Sequence, residues 1–134
     1  MSTIHPVALS CIGMLGLLLF GLGLMVSGMR GKSNILMGGP SNVDAFLNRL
    51  IRAHGNTAEY APFLAVLYWI HGARNPSDWV LGLIIAATVS RIVFVLGMLT
   101  AKTLLRPSPL RFIGASGTYF TGISLSILLL TGSK

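Results

Sequence analysis

Charge is scarce in this chain. Ten Lys and Arg and three acids make up 10% of 134 residues, where an average soluble domain carries roughly 25%. With 53% of the residues hydrophobic, a soluble fold of this length cannot hide its apolar surface. The acids are only Asp44, Glu59 and Asp78. Cysteine is reduced to Cys11. That excludes an intrachain disulfide and a zinc site built on thiolates, and Cys11 reads as a small packing residue in an apolar run. No nucleotide-binding glycine loop and no nucleophile–base pair occurs. A basic n-region is missing ahead of the first apolar run, and that run exceeds the ~7–15 residues of a signal-peptide core. A retained span is expected instead.

What is present is apolar length. Four stretches approach the ~20 residues that cross a bilayer: about 7–29, 44–71, 79–101 and 112–130. They predict an all-α chain, a single integral membrane four-helix bundle over 1–134 with no separate soluble domain. The first stretch is rich in glycine (Gly13, Gly16, Gly21, Gly23, Gly28), and the fourth holds Gly114, Ser116, Gly117, Thr121, Gly122 and Ser124, small residues that let membrane helices approach closely. Trp69 and Trp79 flank a short turn-rich loop, as interfacial anchors do. The net charge of +7 does not signal nucleic acid here, because most basic residues flank spans. Arg30, Lys32, Lys102, Arg106 and Arg111 fall on one side, against Arg74, Lys134 and the amino terminus on the other. The positive-inside rule then puts both termini outside the cytoplasm.

The second stretch is unlike the others. Its first half carries Arg49, Arg52, His54, Asn56 and Glu59, its second half is nearly all apolar, and Pro62 stands between. On an ideal helix Arg49, Arg52, Asn56 and Glu59 fall within an arc of about 80°. His54 lies on another face, where it could meet a neighbouring subunit or simply sit near the interface. Ionisable groups within a bilayer seldom face lipid, so the stripe must face helices or an aqueous cavity. Arg91 interrupts the third stretch at a depth near that of Glu59. Arg49, Arg52 and Arg91, with Arg30, Arg106 or Arg111 within reach from the loops, outnumber the one carboxylate, Glu59. Buried cations need counterions, and arginine's fork suits carboxylates. A small molecule with two carboxylates and one ammonium would complete the set. The competing reading makes Arg49 and Arg52 ordinary flank residues and Glu59–Arg91 a structural ion pair.

The run from Arg49 to Pro62, with its R-x-x-R-A-x-x-N-x-x-E pattern followed by Tyr60 and Pro62, resembles the second-helix signature of the MAPEG family, membrane-associated proteins of eicosanoid and glutathione metabolism, and the chain looks most like its small bacterial branch. The resemblance implies a homotrimer in a bacterial inner membrane, with glutathione as co-substrate between neighbouring subunits. It implies that Arg52 holds a glutathione carboxylate with Arg49 in support, that Asn56 bonds the peptide, and that Glu59 takes the γ-glutamyl ammonium with Tyr60 beside it. Arg91 matches the family's third-helix arginine. Arg111 is the candidate to stabilise the thiolate, with Arg106 the alternative. Eicosanoid-forming relatives carry tyrosines where Phe94 and Met98 stand here, and no serine follows Arg111. The implied activity is a glutathione transferase or peroxidase acting on lipophilic electrophiles or lipid hydroperoxides. A glutathione-binding protein without turnover is the alternative, and a small transporter is weaker.

Overall fold

A computed structural model describes residues 3–42 and 44–132; Lys134, which bears on the topology, lies outside them. The chain forms four helices: α1 (Pro6–Ser33), α2 (Phe46–Gly72), α3 (Asp78–Thr100) and α4 (Pro109–Thr131). Proline starts α1 and α4, where its missing N–H costs nothing. Left-handed residues end them, Asn34 after α1 and Gly132 after α4. Asn42 accepts from the Asp44 N–H at 3.0 Å, so it shapes the approach to α2 and leaves Ala45 as the residue before the helix.

By length and composition, α1, α3 and α4 can each cross a membrane. α2 has the length, at 27 residues, but its polar first half lowers its hydropathy below theirs. Large apolar side chains such as Leu17, Phe20, Phe120 and Leu130 stand on the outside, the surface expected of a protein whose solvent is lipid.

The helices pack as two tight sequential pairs, α1 with α2 and α3 with α4, joined through α3, which meets both α2 and α1. Among the described residues the backbones of α1 and α4 do not approach each other, and those of α2 and α4 barely do. The arrangement is open on one side, leaving a cleft between α2 and α4. That cleft closes at the far end, where His71 Nε2 donates to the Leu125 carbonyl at 2.9 Å. Glycine makes the α3–α4 approach possible: a Cβ on Gly114 would lie 2.6 Å from Phe94 Cα, and one on Gly97 would lie 2.7 Å from the Arg111 nitrogen. In α1 the contact with α2 does not run over most of the glycines. Gly13, Gly16, Gly21 and Gly28 face open space, and only Gly23 has a neighbour, the His54 ring.

Two apolar clusters form the core. One gathers Leu15, Leu64, Leu67, Tyr68, Ile84 and Leu125. The other gathers Leu22, Leu50, Ala53, Phe94, Val95 and Met98. Between them, on α3 and α2, fall the buried Arg91 and Thr57.

Candidate functional site

The cleft holds two adjoining cavities. The first, about 410 Å³, lies where α2 and α4 begin and is lined by Arg52, Asn56 and Glu59 of α2, Phe94 and Met98 of α3, Leu104 and Leu105 of the following loop, and Arg111. The second, about 480 Å³, continues along α2 and α4 and is apolar, walled by Phe63, Leu64, Leu67, Ile123, Ile127 and Leu130, with Tyr60 and Tyr119 beside Glu59. Glu59 borders both.

The α2 stripe reaches the first cavity because its residues recur at three- and four-residue spacing, one helical face. Arg52 and Glu59 are exposed to the cleft and Asn56 is half-buried. Asn56 is oriented from behind. Arg91 Nη2 donates to Asn56 Oδ1 at 2.8 Å and to Thr57 Oγ1 at 3.4 Å. A guanidinium has no acceptor, so the amide must present its oxygen to Arg91 and keep its NH2 for the cavity. Arg91 is 1% exposed and, among the described residues, has no carboxylate as a direct partner. Its charge is met by ring faces, with Cζ 5.3 Å from the Tyr60 centroid and 4.8 Å from that of Phe94, within the range of cation–π attraction. A Glu59–Arg91 ion pair therefore does not form.

The other arginines divide. Arg49 shares the angular position of the stripe but turns to the end of α3, donating to the carbonyls of Leu99 at 3.1 Å and Ala101 at 2.6 Å. A cation there complements the helix C-terminus. Arg30 donates to the Leu36 carbonyl at 2.7 Å in the α1–α2 loop. His54 packs on Gly23 of α1. None of these three lines the cavity of their own subunit. Arg111, in the first turn of α4, does; Arg106 is exposed in the loop, and its carbonyl accepts from Arg111 Nη1 at 3.2 Å.

The loop wall is pinned. Asp44 Oδ1 accepts from the Leu104 N–H at 2.9 Å. This bond, the Thr103 hydroxyl and then the charge of Arg49 hold the Asp44 carboxyl below its ordinary value of 3.8. Tyr119 lies outside the polar stripe that the sequence displays. Its hydroxyl oxygen accepts from Tyr60 at 3.4 Å, and the two ring centroids are 5.6 Å apart. The available signal was a phenol in mid-span, whose polar end needs a partner.

A family model for the MAPEG family matches residues 8–131. The chain belongs to the MAPEG family. The match spans all four helices, so the α2 stripe, the buried Arg91 and the cation opening α4 sit within one MAPEG unit. Membership brings the chain among membrane proteins with roles in glutathione or eicosanoid chemistry. No match is found among curated proteins or solved structures. Phe94 and Met98 give the first cavity of this MAPEG chain an apolar α3 wall, while the phenols of the adjoining cavity come from α2 and α4.

Proposed function

We propose that the chain is a membrane glutathione transferase or peroxidase, a single-domain subunit of a homotrimer in a bacterial inner membrane with both termini outside the cytoplasm. The observation that carries this reading is the donor set of the first cavity: two guanidiniums, one carboxylate and an outward amide NH2 around about 410 Å³, opening onto an apolar groove. Glutathione has two carboxylates, one ammonium and peptide carbonyls. Arg52 takes a carboxylate through charge-assisted hydrogen bonds, Glu59 takes the ammonium, and Asn56 donates to a carbonyl. Arg111 stands over the thiol. A guanidinium beside a thiol of pKa ~8.5 raises its thiolate fraction at neutral pH.

The thiolate then attacks an electrophile that enters the apolar groove from the bilayer. In conjugation a sulfur–carbon bond forms as the leaving group departs with its electron pair. In peroxide reduction the sulfur attacks the terminal oxygen, the oxygen–oxygen bond breaks, and the alkoxide takes a proton. A second glutathione reduces the resulting sulfenic acid to disulfide and water. Arg30 and His54, turned away from their own cavity, serve the site of a neighbouring subunit, and Arg49 supports it by fixing the end of α3.

Purified protein assayed for glutathione conjugation of a model electrophile, between about pH 6.5 and 9, tests the reading. Rate above the uncatalysed reaction that saturates in glutathione supports it. Binding without conjugation across that range favours the second reading, a non-catalytic glutathione-binding protein, which the missing hydroxyls at Phe94 and Met98 motivate.

A further inference from the structure

We infer that the Tyr119 hydroxyl is the proton donor to the electrophile's oxygen, so that this site favours lipophilic epoxides and hydroperoxides over electrophiles whose leaving group departs unprotonated. This rests on the glutathione reading above. Four groove-lining residues carry hydroxyls: Tyr60, Thr118, Tyr119 and Ser126. Thr118 and Ser126 donate to the helix carbonyls of Gly114 and Gly122, both at 2.8 Å. That leaves the two phenols. Their mutual bond of 3.4 Å is longer than the roughly 2.5–3.0 Å of a full O–H···O bond, and Tyr119 is 48% exposed. A phenol within hydrocarbon needs a partner. When Tyr60 donates to Tyr119, the Tyr119 proton is directed at whatever fills the groove.

Position agrees with this role. Tyr119 lies eight residues beyond Arg111 on α4, roughly 12 Å deeper, and it lines the apolar cavity against Tyr60, the chain neighbour of Glu59, which borders both cavities. A thiolate held in the first cavity and an electrophile lying in the second react at this seam. Arg91 braces the phenol pair from behind. Its guanidinium, without a carboxylate partner, lies 5.3 Å from the Tyr60 ring centre. The guanidinium lies against the Tyr60 ring, and that ring in turn packs on Tyr119, with centroids 5.6 Å apart.

The steps balance. With an epoxide, the thiolate forms a sulfur–carbon bond, the carbon–oxygen bond breaks, and the oxygen takes the Tyr119 proton to become an alcohol. The proton lost by the incoming glutathione thiol returns to Tyr119 through Tyr60. With a hydroperoxide, Tyr119 protonates the departing alkoxide, and the sulfenic acid passes to a second glutathione as above.

The test uses the full-length protein in detergent, saturated with glutathione, and three probes: chlorodinitrobenzene, whose chloride leaves unprotonated, a long-chain terminal epoxide, and cumene hydroperoxide. In Tyr119→Phe the ratio of kcat/KM for epoxide or hydroperoxide to that for chlorodinitrobenzene falls at least about ten-fold, since a positioned acid is worth roughly 10²–10⁴ in rate. Tyr60→Phe lowers the same ratio less. Glutathione titration on the same samples checks that the site is intact. A ratio unchanged within about two-fold overturns the inference, as does loss of glutathione binding in Tyr119→Phe, which makes the residue structural. A wild-type protein that conjugates only chlorodinitrobenzene also overturns it. A wild-type protein inert to all three probes strikes at the glutathione reading itself.

Discussion

Arg91 and Asn56 form the contact on which the candidate site turns at the scale of single residues. The buried guanidinium fixes which end of the amide faces the cavity, so it acts on a ligand it need not touch. Asn56→Ala and Arg91→Met should each weaken glutathione binding about ten-fold, the worth of one hydrogen bond to a charged or oriented group. The double variant should be little weaker than either single one, because the two residues share one interaction; titration calorimetry of the four proteins measures the coupling, and additive losses would separate them. The two candidate thiol activators part in the same way. Arg111 lines the cavity and Arg106 does not, so Arg111→Ala should return the bound thiol towards its free pKa of ~8.5 while Arg106→Ala leaves it depressed. Ultraviolet absorbance of the thiolate against pH reads both. The sequence held this choice open because a residue in a proline-rich loop has no helical period to aim it. Arg49 shows the opposite limit: a helical wheel gives its angle, shared with Arg52, but not the carbonyls of Leu99 and Ala101 that claim it.

At the scale of elements, periodicity made the second helix legible, and small residues made the α3–α4 contact legible. Gly114 and Gly97 sit where the helices touch backbone to backbone. Gly114→Ala or Gly97→Ala should cost about 1–3 kcal/mol through overpacking and should lower activity too, since Arg111 hangs on that contact. Gly82→Ala, with open space around it, should change stability little; thermal unfolding in detergent compares the three. The glycines of α1 could not be sorted this way from sequence, because composition says that a helix can be approached and not by what. Tyr119 escaped for a related reason: its importance lies in a neighbour on another helix. The loops carry a pH-dependent element. Asp44 has its folded pKa lowered, so its contribution is complete above the ordinary value of 3.8 and fades as pH falls through the folded value. Hydrogen exchange at the Leu104 amide, corrected for intrinsic rate, should show constant protection from about pH 7 to 5 and loss only below about 4. Asp44→Asn should lose protection already at pH 7.

The whole molecule is an open-sided bundle of helices whose apolar outside suits lipid and whose cleft gathers charge without enough counterions of its own. Its helical, membrane-bound character followed from composition alone, because nothing but a bilayer accommodates this much apolar surface with this little charge. The exception of α2, long enough to span yet too polar to pass as an ordinary span, is where fold and chemistry meet: a helix gives up hydropathy only where its polar face has company. On the proposed reading, glutathione is that company. Titration calorimetry of glutathione onto the purified wild-type protein, Arg52→Ala and Glu59→Gln tests this most directly. Saturable uptake by the wild type, weakened at least about ten-fold in each variant, is the expected result. No uptake by the wild type, or uptake that both variants retain undiminished, would contradict it.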